Sequence, residues 1–483
     1  MRWFRYWRRW LAAFLLVWLA SALWQANKPL PEGVSIAAPL QQAQRVRFLA
    51  DVTFVDANGV RHSEQAIFDE ALAMIGRARR LIVLDMFLFN AHAGASGAPL
   101  RPLSSELTQA LLNRIAAVPG IAVIVITDPV NTVYGGQRAP HLDALRQAGA
   151  HVVTTNLSQL RASNPAWSGL WNLCCRIFGN NLDGGWLPNP LGAGKVTLRS
   201  WLALPNFSAN HRKTLVVDEG DGYAALVMSA NPHDASSAHG NVALRFSGAA
   251  ALDVLASERA VAGFSGGSPV AFDPFLAPSQ TVAETQTEPL RVQVLTESRI
   301  RDALIAALDT AQPGEHIDIA VFYLAHRSLV ESLISAKARG VNLRVLLDPN
   351  RDAFGRTKNG VPNRQVAREL HQAGIPVRWC DTHGEQCHAK LLHKRAQDGS
   401  AELIAGSANF TRRNLDDYNL ETSVRLLAPA DAAPIAQAAA WFDAQWNNLP
   451  DRSFSLPYEA YADDALLRRI QYRIGEAAGL STW

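Results

Sequence analysis

The apolar and polar positions of the chain repeat in two passes of the same plan. Each pass begins with an amphipathic helical pattern that leads into an apolar run, at 65–89 in the first pass and at 300–324 in the second. A second helical pattern then leads through a glycine into an apolar strand that ends in Asp-Pro, at 128–129 and again at 348–349. Strands that are apolar on both faces and alternate with amphipathic helices predict a mixed or parallel sheet covered by helices. The predicted fold class is α/β, with two repeated α/β/α domains related by a pseudo-twofold axis.

The segments around the two passes define the expected domain organisation. The stretch near 266–288 is rich in Pro, Ser, Thr and Gln and shows little periodicity, so we place the boundary between the halves there. The predicted organisation is a signal segment at 1–27, a linker at 28–50, a first domain at 51–270 with an insertion at about 156–205, a linker at 271–288, a second domain at 289–450 and a C-terminal amphipathic helix at 451–483.

The N-terminal segment combines four arginines and several aromatic residues with an uncharged apolar run at 10–24. A positive region followed by an apolar one is typical of an export or anchoring signal. The run is shorter than the roughly 20 residues of a membrane span, and small residues at 20–22 supply a cleavage pattern. An anchor and a cleaved signal are therefore both open, and the aromatic residues beside the arginines favour the anchor. Either alternative places the rest of the chain outside the cytoplasm.

The composition narrows the class of protein. The 483 residues are 48% hydrophobic and 18% charged, which predicts a folded protein with a large core. The 46 basic residues nearly balance the 43 acidic ones, and a formal net charge of +3 does not predict a broad surface for nucleic acid. The sequence indicates no particular oligomeric state.

Four cysteines permit disulfides in an exported protein without requiring them. Cys380 and Cys387 bracket a short polar stretch and are one candidate pair, whereas the adjacent Cys174 and Cys175 would pair only with strain. Buried thiols are the alternative. No Cys/His set has zinc-type spacing, so we expect neither a structural metal nor a cofactor.

Each pass ends in a His-x-Lys motif, with His211 and Lys213 in the first and His388 and Lys390 in the second. Residues two apart on a strand point to the same face, so each histidine can address one ligand together with its lysine. An apolar strand and then Ser-Ala-Asn follow each motif, which places a second polar pair on a neighbouring strand. These pairs are Ser229 and Asn231 in the first pass, and Ser407 and Asn409 in the second.

Two such faces meeting across a pseudo-twofold axis would surround a tetrahedral phosphate. The lysine ammonium groups would stabilise the charge on its oxygens without a divalent metal. One histidine can attack phosphorus to form a phosphohistidine, while the other, protonated, donates to the leaving oxygen and then activates water or an alcohol. Buried structural histidines are the alternative, and they account poorly for two motifs at matched points of a repeat.

The repeated segments resemble the His-x-Lys-x4-Asp motifs of the phospholipase D superfamily, over essentially everything after the signal segment. The first motif is complete, because Asp218 stands seven residues after its histidine, whereas the second has Arg395 at that position. The family also has an acidic residue shortly after the Ser-x-Asn segment, positioned to orient a histidine. Glu421 matches it in the second half, while the first-half positions 240–243 hold no acid.

The resemblance implies a role for each matched residue. His211 is expected to be the nucleophile and His388 the general acid and base. The implied catalytic residues are His211, Lys213, Asp218, His388, Lys390 and Glu421, and the implied phosphate-binding residues are Ser229, Asn231, Ser407 and Asn409. Each half keeps one carboxylate of the usual two, so the two halves are expected to do different jobs.

Two apolar segments bear on the substrate. The insertion is rich in tryptophan and poor in charge, which resembles an interfacial element that dips into lipid or guides an acyl chain, with a lid packed on the body as the alternative. The C-terminal segment predicts a basic amphipathic helix docked on the domain. Its last residues, 479–483, resemble the end of bacterial membrane-anchored phospholipase D-like proteins.

We therefore expect a phospholipase D-type phosphodiesterase that acts on glycerophospholipids by hydrolysis or by transphosphatidylation, as a cardiolipin synthase does. The expected location is the bacterial inner membrane, with a single-pass anchor and catalytic domains facing the periplasm, or secretion after signal cleavage. An exported nuclease is an alternative that the balanced charge disfavours. A catalytically decayed lipid-binding protein is another, motivated by Arg395 and the missing first-half acid.

Overall fold

A computed structural model describes residues 2–92, 100–276, 290–353, 356–479 and 481. Most of the linker predicted at 271–288 lies outside these residues, as do 480, 482 and 483 of the C-terminal segment. The helices are α1 (Arg2–Asn27), α2 (Ile67–Arg77), α3 (Leu103–Ala117), α4 (Pro140–Gln147), α5 (Pro165–Cys174), α6 (Leu198–Ala203), α7 (Ala249–Phe264), α8 (Asp273–Leu276), α9 (Ser298–Asp309), α10 (Arg327–Ala338), α11 (Asn363–Gln372), α12 (Arg412–Leu415), α13 (Ala433–Asn447) and α14 (Leu466–Ala478).

The strands alternate with these helices in both halves. In the first half they are β1 (Gln41–Gln42), β2 (Gln44–Asp56), β3 (Arg61–Glu64), β4 (Leu81–Met86), β5 (Ala122–Thr127), β6 (His151–Thr154), β7 (Leu187–Pro188), β8 (Lys195–Val196), β9 (Lys213–Glu219), β10 (Gly222–Met228) and β11 (Asn241–Ser247). In the second half they are β12 (Arg291–Thr296), β13 (His316–Val321), β14 (Asn342–Leu347), β15 (Asp352–Ala353), β16 (Arg356–Thr357), β17 (Val377–Cys380), β18 (Lys390–Arg395), β19 (Ser400–Gly406), β20 (Thr422–Pro429), β21 (Arg452–Ser453) and β22 (Ser455–Pro457).

Two large sheets have the same strand order. The first runs β2-β11-β10-β9-β4-β5-β6 and the second runs β12-β20-β19-β18-β13-β14-β17. In each sheet the last three strands pair in parallel and the others pair antiparallel. The halves also exchange edge strands, because β1 pairs with β12 and β21 pairs with β2. The predicted duplicated α/β fold, preceded by an apolar helix, is confirmed.

The apolar core lies in three layers that the burial of the strands explains. All six residues of β4 are buried, because one face of its sheet packs on helices and the other packs toward the second sheet. One cluster fills the space between the two sheets and joins the halves, and it includes α7 and α13 side chains. The other two clusters lie on the outer faces, under α2 and α3 in the first half and under α9, α10 and α11 in the second.

Part of the predicted linker at 28–50 belongs to the folded body. Strand β2 begins at Gln44, and the preceding segment pairs with the second half, where the Ala38 N–H donates to the Val294 carbonyl at 2.9 Å. Val34 and Ala38 are 8% and 6% exposed and pack in the layer between the sheets. Prolines at positions 29, 31 and 39 interrupt this segment, so its pattern does not reveal the strand pairing.

Helix α1 continues well beyond the apolar run at 10–24. Its segment Tyr6–Asn27 is 22 residues long and apolar enough to cross a membrane. Signal sequences can have the same length and composition. At 1.5 Å per residue this length matches a hydrocarbon core of about 30 Å. The second part of α1 packs on α5 of the insertion, where Trp18 Nε1 donates to the Ala166 carbonyl at 2.8 Å. Gly169 permits this close approach, because a Cβ there would lie 2.9 Å from Ala22 Cα.

The tryptophan-rich insertion divides into a packed part and an exposed part. Trp171 is 7% exposed, and Trp167 Nε1 donates to the Leu202 carbonyl at 2.9 Å. In contrast, Ile177, Phe178 and Trp186 are 77%, 63% and 64% exposed. The interfacial and the packed-lid interpretations each describe one part of the insertion.

The predicted C-terminal helix is shorter than 451–483, because β21, β22 and a short turn precede α14. Tyr472 is fully buried and donates to the Ala325 carbonyl at 2.9 Å, so α14 is docked on the second domain as expected. Its other apolar face, with Leu467 80% exposed, is turned to solvent. Disulfides join Cys380 to Cys387 and Cys174 to Cys175, including the adjacent pair that the sequence disfavoured.

Candidate active site

The two His-x-Lys motifs meet in one cavity, which we call the central cavity. It has a volume of about 230 Å³ and lies where the two sheets face each other. Both motif histidines and both asparagines of the Ser-x-Asn segments line it. The lining residues are Phe87, Leu88, Ala209, His211, Asn231, Ser236, His239, Phe322, Tyr323, Lys358, Gln386, His388, Asn409, Arg413, Asn414 and Asn419.

Reciprocal backbone bonds between the halves position the two histidines. The His211 N–H donates to the Leu420 carbonyl at 2.9 Å, and the His388 N–H donates to the Gly240 carbonyl at 2.7 Å. Each histidine thus stands at the end of its own strand segment and is held by the loop that precedes β20 or β11 of the other half. This pairing brings the residue after each of those loops beside the opposite histidine.

Two buried aspartates fix the residue before each histidine. Asp128 accepts the Asn210 N–H at 2.7 Å, and Asp348 accepts the Cys387 N–H at 2.8 Å. Burial raises the pKa of each carboxyl to about 7, although these backbone bonds lower it. The motifs do not point to these two aspartates as site residues. Each is nevertheless the aspartate of the Asp-Pro that ends the matched strand of its pass, and this repetition could have indicated them.

Both motif lysines are buried beneath the cavity. Lys213 Nζ donates to the His211 carbonyl and Lys390 Nζ to the His388 carbonyl, each at 2.6 Å. Burial lowers the pKa of Lys213 to about 7, against the nearby carboxylates, and burial together with Lys213 lowers the pKa of Lys390 well below its ordinary value. An anion bound in the cavity would raise both pKa values, because it would stabilise the charged form of each lysine.

The two histidines have different partners at equivalent positions. His211 Nδ1 lies 2.8 Å from Glu421 Oε1, and His388 Nδ1 lies 3.1 Å from Asn241 Oδ1. The serines of the Ser-x-Asn segments hold these two partners, because Ser407 Oγ donates to Glu421 and Ser229 Oγ donates to Asn241. Asn241 therefore occupies the first-half position where an acid was missing. One imidazole faces a carboxylate and the other faces a neutral amide.

This difference is reflected in the electrostatics of the site. Burial lowers the pKa of His211 to about 4, while Glu421 acts in the opposite direction. Burial, Lys390 and His239 lower the pKa of His388 well below its ordinary value. Burial disfavours the charged form of Glu421, but His211 and Lys213 hold its pKa below its ordinary value. A neutral His211 beside a carboxylate is a stronger base and nucleophile than His388.

Within each Ser-x-Asn segment, the serine and the asparagine have different surroundings. Asn231 and Asn409 line the cavity, as expected for phosphate-binding side chains. Ser229 and Ser407 are fully buried, and each also accepts a backbone N–H, from Val242 or Thr422, at 3.0 Å. The expectation that the serines bind phosphate is corrected here, because their hydroxyls are used to hold the histidine partners.

Asp218 does not share the central cavity. It follows Lys213 by five residues along β9, which corresponds to about 17 Å at a rise of about 3.3 Å per residue. Its carboxylate accepts N–H groups of the turn before β4, from Arg79 at 3.0 Å and from Arg80 and Leu81 at 2.8 Å. The expected catalytic role of Asp218 is thus corrected to fixing this turn.

The departure at the second motif is equally remote from the cavity. Arg395 ends β18 and pairs with Asp318 of the neighbouring strand β13 at 3.1 Å. The second half therefore has a guanidinium at the position where the first half has a carboxylate. Each of these groups bonds to residues near the end of its own strand, away from the cavity. Arg395 does not alter the groups that surround the two histidines.

A match to a known family covers the second half. Residues 304–446 match the family described as "Cardiolipin synthase, PLD-like domain". The matched segment contains the second His-x-Lys motif, so this part of the chain is similar to a phospholipase D-like domain. Among curated proteins, no match was found.

One solved structure shares its fold with nearly the whole chain. A phosphatidylserine synthase from Haemophilus influenzae Rd KW20 is similar with a TM-score of 0.54 and 10% identity, over 92% of this chain and 96% of that chain, which shows a shared fold. A phospholipase D family member, Nuc, from Salmonella typhimurium matches 34% of this chain and 99% of that chain at 22% identity and a TM-score of 0.28. A polyphosphate kinase from Porphyromonas gingivalis matches 90% of this chain and 53% of that chain at 12% identity and a TM-score of 0.45.

The central cavity has further cationic or titratable groups that the motifs did not indicate. They are His239, Lys358 and Arg413. The rings of His239 and His388 lie 5.7 Å apart, and Lys358 Nζ contacts the Tyr323 hydroxyl. None of the three belongs to a repeated segment, so comparison of the two passes could not reveal them. Among the described residues, no cluster of three or more His, Cys, Asp or Glu has the arrangement of a metal site.

Proposed function

We propose that the protein is a phospholipase D-type phosphodiesterase that cleaves glycerophospholipids through a phosphohistidine on His211. The observation that carries this proposal is the asymmetry of the paired histidines, with a carboxylate 2.8 Å from His211 Nδ1 and an amide 3.1 Å from His388 Nδ1. Glu421 fixes the tautomer in which His211 Nδ1 carries the proton, which leaves the Nε2 lone pair for attack.

In the first step, His211 Nε2 forms a bond to phosphorus while the bond from phosphorus to the leaving oxygen breaks. Protonated His388 transfers its proton to that oxygen, so the alcohol leaves neutral. In the second step, the now neutral His388 takes a proton from water or an alcohol, whose oxygen attacks phosphorus and releases His211. Water gives hydrolysis and an alcohol gives transphosphatidylation.

The remaining groups would stabilise the charge on the non-bridging oxygens. Lys213 and Lys390 supply positive charge from below the cavity, and Asn231 and Asn409 supply amide groups from its walls. Entry of the anionic phosphate raises the pKa of His388, because it offsets the neighbouring positive charges that lower it. Substrate binding would therefore promote the protonated form that the first step needs.

Lipid as substrate is supported by the surroundings of the cavity. Helix α1 is long enough to anchor the chain in a membrane, and the insertion packed on it exposes Ile177, Phe178 and Trp186. The arginines before the apolar segment favour a cytoplasmic N-terminus, with the two domains on the periplasmic side of a bacterial inner membrane. A site held at the membrane surface has phospholipid as its most abundant phosphodiester.

The substrate is tested by incubating the full-length protein in detergent, with a chelator present, with labelled phosphatidylglycerol, phosphatidylcholine or single-stranded DNA. We expect lipid turnover that falls by about 10³-fold or more in His211→Ala. His62→Ala is the matched control, because His62 is about half exposed and pairs with Asp56 away from the cavity. Cleavage of DNA alone would contradict the lipid assignment, and no cleavage of either would support a decayed site.

The proposed roles also predict a pH effect of Asn241→Asp. A carboxylate about 3 Å from His388 Nδ1 should raise the pKa of His388 by about one to three units, because it stabilises the imidazolium. The acid form then survives to higher pH, so the alkaline limb of the kcat/KM profile should move upward by a similar amount. Asn241→Leu is the control, since it removes the hydrogen bond without adding charge and should not move the limb upward. An unmoved limb in folded Asn241→Asp would refute the assignment of His388 as the acid.

A further inference from the structure

A second cavity, which we call the lateral cavity, lies between the end of α1 and the insertion. It has a volume of about 150 Å³, and its walls include Gln25 and Lys28 from the end of α1 and Trp171 from α5. Arg176 and Arg199 of the insertion also line it. The cavity therefore lies where the end of the N-terminal helix, the insertion and the loop that contains Pro129 and Tyr134 meet.

Two of the three cations of the lateral cavity, Lys28 and Arg199, donate hydrogen bonds to neutral groups. Lys28 Nζ donates to Gln25 Oε1 at 2.8 Å and to the Ser158 carbonyl at 2.5 Å, which leaves one of its three donors. Arg199 donates to the carbonyls of residues 176 and 178 and stacks over the Trp171 ring at 5.0 Å. In the described part of the chain, no carboxylate forms a salt bridge with Lys28, Arg176 or Arg199.

A neighbouring arginine differs from these three side chains because it has a counter-charge. Arg161 is a neighbour, since its Nε donates to the Lys28 carbonyl, and it pairs with Asp417 at 3.2 Å. Lys28 itself is only 8% exposed, and burial together with Arg176 lowers its pKa to about 8. An anion between these three side chains would offset the repulsion between Lys28 and Arg176 and bond to the remaining donors.

The position of the cavity favours an anion carried on a lipid. Arg176 is followed directly by the exposed Ile177 and Phe178, just after α5, which is the helix of the insertion that packs on α1. Apolar side chains beside cations suit a membrane interface, where the former enter the acyl region and the latter meet phosphates. Ser208 lines the lateral cavity and Ala209 lines the central one, so the two cavities are neighbours.

We propose that the lateral cavity is a second anion site, separate from the central cavity, and that it binds the phosphate of an anionic membrane phospholipid through Lys28, Arg176 and Arg199. Binding there requires no covalent step. Such a site would hold a phospholipid beside the central cavity and orient the body on an anionic membrane surface.

The site is tested by calorimetric titration of the full-length protein carrying His211→Ala, in a maltoside detergent that contains no phosphate. We expect short-chain phosphatidylglycerol to bind in two classes of site. Adding Arg176→Gln should weaken one class about tenfold and leave the other unchanged, because it removes one charged hydrogen bond to phosphate. Adding Lys390→Met should weaken only the other class, so a failure of the central site and a failure of the lateral site are distinguishable.

Arg138→Gln is the matched control, because Arg138 also carries a positive charge beside the insertion but already pairs with Asp183 at 3.0 Å. It should leave both classes unchanged. A parallel titration with inorganic phosphate separates the sources: competition for the Arg176-dependent class means that phosphate alone is recognised, and no competition means that the lipid is required. An Arg176→Gln isotherm equal to that of its parent, or equal losses in Arg176→Gln and Arg138→Gln, would overturn the proposal.

Discussion

Replacing His388 by alanine is expected to lower steady-state turnover of a phosphatidyl ester by about 10²- to 10⁴-fold while leaving the nucleophile intact. The residue is assigned to protonate the leaving oxygen and then to activate the incoming water. Its loss should therefore slow both steps for a natural alcohol leaving group, which needs a proton to depart.

An activated leaving group separates the two roles. A phosphatidyl ester of p-nitrophenol expels a stable phenolate without a proton, so the first step in His388→Ala no longer depends on the missing acid. The second step still lacks its base. Rapid mixing should then show a burst of about one nitrophenolate per chain, followed by almost no turnover, and the label should remain on the protein.

His211→Ala is the matched variant for this experiment. It keeps His388 but lacks the proposed nucleophile, so neither a burst nor labelled protein is expected. Peptide mapping by mass spectrometry at mild alkaline pH should locate the phosphatidyl group of His388→Ala on His211. A burst in His211→Ala with the label on His388 would reverse the assignment of the two histidines.

The sequence predicted those parts of the site that repeat. The two His-x-Lys motifs and the two asparagines stand at matched points of two apolar patterns, and the structure brings all of them to one cavity or to its floor. The fold class followed from the same repetition, because a run such as β4 is apolar on both faces and must be covered on both sides.

The parts that the sequence did not predict depend on contacts between the halves. Asn241 occupies the place of Glu421 only because the loops before β11 and β20 each pair with the opposite histidine segment. Asp218 matches a family motif, yet it lies five residues beyond Lys213 along β9 and does not line the central cavity. Spacing along one strand gives the direction of a side chain, but it does not show what approaches from another strand.

Arg212 is the clearest example of such a contact between the halves. It stands between His211 and Lys213, is fully buried, and lies 2.8 Å from Glu297 of the second half and 3.6 Å from Glu258 of α7. The second motif has Ala389 at the equivalent position. Comparison of the repeats alone would therefore suggest that alanine is tolerated at position 212.

The structure predicts the opposite result for Arg212→Ala. Removing the guanidinium leaves Glu258 and Glu297 buried without their counter-charge, and breaking a buried ion pair in this way costs about 3–5 kcal/mol of folding free energy. Glu297 also accepts the Glu421 N–H at 3.0 Å, so loss of its partner should disturb the carboxylate beside His211 as well. Both the unfolding midpoint and the activity should fall.

Urea unfolding of the full chain in detergent measures this effect, with Arg138→Ala as a control whose exposed ion pair should leave the midpoint unchanged. Adding Glu297→Gln to Arg212→Ala should restore part of the lost stability, because it removes one of the two uncompensated charges. An additive loss in the double variant would mean that Arg212 stabilises the fold by packing rather than by charge. Partial recovery would instead identify the ion pair as the element that locks the first histidine motif to the second half.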